Sequence, residues 1–249
     1  MSTLPYERAL VTGASTGIGA ATSRVLAAER LEVLAVARRE ERLAALAAET
    51  GCRTLAADIR AADAMADAIA DFKPQVVVNN AGVGHGITGL GGVGAGDIAE
   101  AIAINVTAPI QITAAAVAVM KREGLRGHVV NMGSISGLHT LVSSLYGAGK
   151  AAVHGFSQTL RVEVKGFPIR VTEICPGRVS SEFYDAAKGD KATLAKMAST
   201  GISELRPDDI ASAILFALKA PLHVNISTIE LLPTEQAVGG AMATPIPQL

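Results

Sequence analysis

Between a β-branched run and an alanine-rich segment of helical period lies Thr12-Gly13-Ala14-Ser15-Thr16-Gly17-Ile18-Gly19, a junction that few folds can accommodate. Glycines at these positions let the backbone approach a pyrophosphate at the start of a helix, where free N–H groups and the helix dipole favour negative charge. A glycine triplet alone is a weak signal. Here it ends a strand, opens a helix and begins a strand–helix–strand unit, the context that makes it informative. The same alternation continues along the chain and predicts an α/β fold, a doubly wound parallel sheet of about seven strands flanked by helices. Strands are expected at about 8–12, 32–36, 53–56, 75–79, 128–132, 169–174 and 226–232. Helices are expected at about 17–30, 40–50, 61–72, 97–123 with a kink at Pro109, 144–166 and 207–219. The glycine-rich stretch 82–96 reads as a mobile loop, and 178–204 as one or two short helices over the site.

Composition narrows the function classes. Of 249 residues 49% are hydrophobic and 18% charged, enough apolar material for a large core and no composition of disorder. No linker or repeat interrupts the chain, so one domain over 1–249 is expected, its substrate segment at about 180–204 and a loosely held tail at 241–249. Net charge is −1, from 22 basic and 23 acidic residues, so no global field draws nucleic acid or anionic lipid. The two cysteines, Cys52 and Cys175, match no disulfide framework or metal-ligand spacing and read as small buried hydrophobes; no metal is expected. The N-terminus lacks the pattern of a signal peptide, which makes a cytoplasmic location the expectation. Mean hydropathy is +0.36, yet apolar stretches read as interrupted well short of the ~20 residues that span a bilayer, so no membrane association is expected.

At the end of the second strand, where a carboxylate would bond ribose hydroxyls, the chain has Ala37 followed by Arg38 and Arg39. Guanidinium groups bond a 2′-phosphate that a carboxylate would repel, so NADP is favoured over NAD. Asp58, beside Ile59 after the third strand, is placed to accept from an adenine amino group or to cap a helix. Asn79-Asn80-Ala81-Gly82 ends the fourth strand with small residues suited to a nearby ribose, Asn79 itself reading as a tie between strands.

Tyr146 and Lys150 stand at i and i+4 on one helix face. A phenol with a pKa of ~10 needs a positive neighbour to trade protons at neutral pH, and an ammonium ~4 Å away would lower it by roughly three units. The pair is common by chance, but here it has company. Gly13 to Gly19, Asn79 to Gly82, Asn105, Ser134, Tyr146, Lys150 and Pro176-Gly177 recur in one order. On these residues the chain resembles the short-chain dehydrogenase/reductase family, in its NADP-dependent form of roughly 250 residues with a single Rossmann-like domain. The resemblance runs from Leu10 to about Pro233.

It implies an NADP(H)-dependent oxidoreductase that moves a hydride between nicotinamide and a small carbonyl or alcohol. It casts Tyr146 as general acid/base, Lys150 as the group that lowers its pKa and bonds the nicotinamide ribose, Ser134 as the hydroxyl positioning the substrate oxygen, and Asn105 as holder of a water relay. It also implies cofactor contacts from Gly13, Ser15, Thr16, Gly17, Ile18, Gly19, Arg38, Arg39, Asp58, Ile59, Asn80, Ala81 and Gly82, and from Pro176, Gly177, Val179 and Ser181. Gly133 stands where the family often has a second serine, and the Ser134–Tyr146 spacing is one residue short, which leaves Ser136 as the alternative to Ser134. Ser136, His139 and Phe183 are the candidate substrate contacts; His85, Arg178, Tyr184 and Met197 read as exposed, ion-paired or packing residues with a possible place near substrate. His223-Val-Asn-Ile226 and Pro233-Thr234 resemble a branch acting on hydroxy acids, serine-like compounds or aldehydes. The resemblance further implies a homodimer or homotetramer. A catalytically silent sensor would be expected to lose one of these positions, and halide elimination would need an altered glycine loop; neither change is present.

Overall fold

Short runs, the central ones rich in valine, isoleucine and leucine, pair side by side because helices cover both faces of the sheet they form, so continuous apolar stretches rather than alternating ones are stable there. The computed structural model describes residues 4–141, 143–198 and 201–237. Its strands are β1 (Arg8–Thr12), β2 (Glu32–Ala37), β3 (Arg53–Ala56), β4 (Val76–Asn79), β5 (Gly127–Met132), β6 (Ile169–Pro176) and β7 (Thr228–Leu231). All pair in parallel in the order β3-β2-β1-β4-β5-β6-β7. Strand order reverses between β1 and β4, and a crevice at the carboxyl ends of the strands is expected at such a switch point.

On one face lie α1 (Gly17–Ala28), α2 (Glu40–Thr50) and α9 (Pro207–Lys219), which bury Leu26, Leu43, Ile210, Ile214 and Leu218. On the other lie α3 (Ala62–Phe72), α5 (Ala108–Arg122) and α7 (Ser144–Glu163), with Met65, Ile69, Ile112, Met120 and Leu160 in the core. Short helices α4 (Ala95–Ile102), α6 (Ile135–Leu138) and α8 (Lys191–Ala198) lie around the strand ends; α6 has no counterpart among the predicted elements. Cys52 and Cys175 are buried and free.

The long fourth helix expected with a proline kink is α4 and α5 joined by a π-helical turn, Ala103–Thr107. Pro109 lies in the first turn of α5 and has no N–H to offer the Asn105 carbonyl; the wider turn accommodates its ring. By length and composition alone Ala95–Arg122 could cross a membrane, which corrects the expectation that every apolar stretch is broken well short of that length. Half of its most apolar window is buried inside the protein, with Ile112, Ala116 and Met120 packed in the sheet-facing core. The glycine-rich loop is tethered: Gly86 N–H donates to the Lys188 carbonyl, and Gly86, Gly89 and Gly92 take positive φ. The tail at 241–249 and the Met197 side chain fall outside what the structure describes.

A buried polar chain fixes the sheet where the site is built. Asn79 Nδ2 donates to Thr113 Oγ1 and to Asn131 Oδ1, both at 2.8 Å, and Asn131 Nδ2 donates to Ser157 Oγ at 2.9 Å. This joins β4, α5, β5 and α7, and agrees with reading Asn79 as a tie between strands. Asn79→Leu should destabilise the fold by about 1–3 kcal/mol, because it strands Thr113 and Asn131 without their donor. Denaturant unfolding checks this; a midpoint within error of wild type would show that the chain carries no stability.

Candidate active site

At the carboxyl ends of the strands a cavity of about 660 Å³ runs from the glycine turn to the start of α7. That volume lies within the usual range for ligand sites, ~300–1,000 Å³. Gly13, Ser15, Thr16, Gly17 and Ile18 form one wall, Asn80, Ala81 and Gly82 the floor, and Pro176, Gly177, Val179 and Ser181 the opposite wall. Gly13 adopts φ +68°, and a Cβ there would stand 2.8 Å from Asn80 Nδ2 and 2.9 Å from Ala81 Cα, so no other residue fits. Gly17, at φ +52°, faces Ser181 across the cleft. At Gly19 a Cβ would strike the Gly13 carbonyl and the Asn80 amide, so the close packing of the turn requires glycine there too.

At the outer end Arg38, Arg39 and Ile59 line the cavity. Arg38 has no hydrogen bond or ion pair among the described residues, which leaves its guanidinium available to an anion. Arg39 is engaged: its Nε donates to Ser15 Oγ at 3.2 Å and its Nη1 to Glu182 at 2.9 Å. Asp58 lies between Ala57 and Ile59, which line the cavity. Arg60 claims both carboxylate oxygens, at 3.0 and 2.6 Å, and its side-chain bonds above all hold Asp58 down to about 2.

The inner end is built from buried groups. Tyr146 and Lys150 are buried on α7, and Ser134 and Ser136 both line the cavity at the start of α6. Burial pushes the Tyr146 phenol above its ordinary value, the Ser134 side chain beside it working the other way. Lys150 Nζ donates to the Met132 carbonyl at 2.6 Å and lies 5.7 Å from the Tyr146 ring centre. Burial lowers it to about 8. The expectation that Lys150, helped by the cationic oxidised nicotinamide, brings the phenol near working pH concerns the loaded cleft; in the protein alone burial is the largest influence on Tyr146.

Asn105 is placed just behind the floor rather than in the cavity lining. Its amide is consumed by the Val83 backbone, accepting from N–H and donating to C=O, both at 2.9 Å. His139 does not reach the cavity either: its Nε2 lies 2.8 Å from Glu230 Oε1. His85, expected to be exposed, is buried, with Nε2 3.1 Å from Glu100 Oε2. Phe183 is a wall residue, edge-on to Tyr146 with ring centres 5.4 Å apart, and Tyr184 packs against it. Arg178 bonds Glu204 at 2.9 Å and lies over the Tyr184 ring. Asn225 is structural, exchanging two bonds at 2.9 Å with the Val171 backbone.

Gly133 owes its identity to its neighbours, since a Cβ there would strike the Glu173 carboxylate and Cys175 Sγ. Glu173 is fully buried and bonds His154 Nδ1 at 2.6 Å. Burial first, then the Glu173 carboxylate, push the Cys175 thiol up. Sequence reading missed Glu173, Glu182 and Gln236; the Gln236 Oε1 accepts from Arg178 N–H at 2.9 Å and fixes the wall after β6. No local pattern marks them, because each meets its partner from a distant part of the chain.

The lowered Lys150 gives a test with a definite sign. Between pH 8 and 10.5 the unfolded lysine holds a proton that the folded one has lost, so stability relative to Lys150→Met rises with pH. A gain on the order of 2 kcal/mol is expected by pH 10. Denaturant unfolding of both proteins at several pH values reads it, and a flat difference would mean that Lys150 is not desolvated.

Residues 7–192 match the short chain dehydrogenase family. An uncharacterized short-chain type dehydrogenase/reductase, y4eK of Sinorhizobium fredii, is 38% identical over 237 residues, 95% of each chain. The NADP-dependent 3-hydroxy acid dehydrogenase YdfG of Salmonella typhi is 35% identical over 241 residues, 93% of this chain and 96% of that one. Among solved structures, the closed form of a serine dehydrogenase complexed with NADP+ superposes with a TM-score of 0.87 at 30% identity, over 96% of this chain and 100% of the other. With its seven-stranded parallel sheet and its cleft at the switch point, this chain belongs to the short-chain dehydrogenase/reductase family of oxidoreductases.

Proposed function

We propose that this protein is an NADP(H)-dependent dehydrogenase/reductase that interconverts a small carbonyl compound and its alcohol, with a 3-hydroxy acid or serine-like compound as the substrate class. One observation carries the reading: a cavity joins a buried hydroxyl pair, Ser134 and Tyr146, to an exposed guanidinium, Arg38, that makes no hydrogen bond or ion pair among the described residues. The named activities of YdfG and of the NADP+-complexed serine dehydrogenase support the cofactor and the substrate class.

The residues present fit the cofactor. Glycines at 13 and 17 let the backbone approach a pyrophosphate at the α1 N-terminus, the small residues Asn80 to Gly82 leave room for a ribose, and Arg38 meets a 2′-phosphate. When bound, NADP(H) supplies the hydride carrier and, in its oxidised form, a positive charge at the inner end of the cleft.

The protein manages the proton. In reduction, Ser134 and Tyr146 hydroxyls hold the substrate oxygen, and Tyr146 gives it a proton as carbon accepts hydride. A phenol raised by burial is fully protonated at neutral pH, which suits this direction. Lys150, charged below about 8 and held by the Met132 carbonyl, stabilises the phenolate left behind and is the nearby source of a replacement proton. Asn105 holds the Val83 backbone and thereby the floor beneath Lys150. Phe183 and Tyr184 screen the reacting end from water. In alcohol oxidation the steps reverse. The same reading takes the chain as a homodimer or homotetramer, supported by the exposed Ile98, Ile102 and Ile110 along α4 and α5.

Tyr146→Phe should lower turnover by roughly 10²–10⁴-fold, the usual contribution of a positioned acid, while NADPH binding stays within a few-fold. A panel of aldehydes, ketones and hydroxy acids followed by NADPH absorbance is the assay; near-normal turnover by the variant would refute the assignment. Arg38→Asp should reduce kcat/KM with NADPH about tenfold or more relative to NADH, the loss of one charge-assisted contact. An unchanged ratio of the two cofactors would remove Arg38 from the phosphate site.

A further inference from the structure

Glu182 follows the wall segment after β6 and reaches across the cavity to the other side. Its carboxylate accepts from Arg39 Nη1 at 2.9 Å and Arg42 Nη1 at 2.5 Å, and the Thr16 hydroxyl bonds it as well. Arg39 in turn donates to Ser15. Two guanidinium groups and the Thr16 hydroxyl thus converge on one anion at the outer end, beside Arg38, which has no hydrogen bond or ion pair among the described residues. That donor set is what a phosphoryl group attracts, and a carboxylate meets only part of it.

We propose that Glu182 is a specificity-determining residue, an internal anion that holds Arg39 and Arg42 and must give way when the 2′-phosphate of the cofactor arrives. The proposal rests on the NADP(H) reading above and adds to it. Competition follows from valence: the Arg39 Nη1 and Arg42 Nη1 donors cannot serve both anions fully, and two anions side by side repel. Glu182 cannot step aside by protonation, since its bonds to Arg42 and then Arg39 hold it down to about 2. It can be displaced, because all three side chains are between 41% and 47% exposed and pairs so exposed are weak. A phosphate monoester carries more charge and more acceptor oxygens than the carboxylate, so it wins the arginines at a cost that an unphosphorylated dinucleotide never meets.

The test uses the full-length protein and titration calorimetry with adenosine 2′,5′-bisphosphate, 5′-AMP and NADPH. Glu182→Gln keeps size and removes charge; it should bind the bisphosphate and NADPH roughly three- to tenfold more tightly, with AMP unchanged within about twofold. Glu182→Asp, which keeps the charge, should stay near wild type. Unchanged or weaker binding of the bisphosphate to Glu182→Gln would overturn the proposal and make Glu182 a clasp over the cleft. Should wild type bind the bisphosphate no better than AMP, the NADP(H) reading itself fails, and this proposal with it.

Discussion

An ammonium cannot stay charged inside a protein without a partner, and the bond from Lys150 to the Met132 carbonyl is the constraint on which the reacting end of this structure depends. β5 ends at Met132, so that carbonyl faces the site just where the ladder stops. One turn further along α7, His154 bonds the buried Glu173 of β6. Two polar bonds, to two neighbouring strands, thus pin both the rotation and the advance of α7. Tyr146, one turn before Lys150, has no freedom left in where its ring stands. Gly137 completes the arrangement, since a Cβ there would strike the Lys150 backbone and push α6 off α7.

The cleft this creates is electrostatically divided. At the inner end Tyr146 and Lys150 are buried, charge interactions are strong, and a single misplaced charge would shift proton affinities by whole units. At the outer end Arg38, Arg39 and Arg42 stand in solvent, where each contact is weak and screened by salt. Chemistry belongs where water is excluded. Discrimination between cofactors can be built from several weak contacts, and it can be tuned by a single exposed carboxylate without disturbing the reacting groups.

Much of this was legible in the sequence because it is locally written. The runs at 8–12 and 53–56 are strands with those bounds, and β6 departs from expectation only by two further residues, Cys175 and Pro176. The glycine turn was legible because strand, turn and helix are contiguous. The rest depends on contacts between distant residues. Glu182 meets Arg39 across 143 positions, and no spacing rule spans that distance. Asp58 differs in the opposite way: its partner Arg60 is only two residues away, a local ion pair that the strand–helix pattern does not mark. The i, i+4 spacing placed Tyr146 and Lys150 on one face, but which way the ammonium turned was decided by a carbonyl on another strand.

The choice between the two serines shows how a short spacing and an unusual glycine can leave a site intact. Glu173 and Cys175 press against position 133, so the turn after β5 is made by glycine rather than by a second serine. Ser134 then caps α6, its Oγ accepting from Ser136 N–H at 3.1 Å. With one lone pair so used, the Ser134 hydroxyl proton remains to be donated, and the Tyr146 phenol is beside it. Ser136 presents its backbone N–H to Ser134, and both residues line the cavity. With a helix of four residues and an extended His139 following Ser134, the Ser134 and Tyr146 side chains still meet.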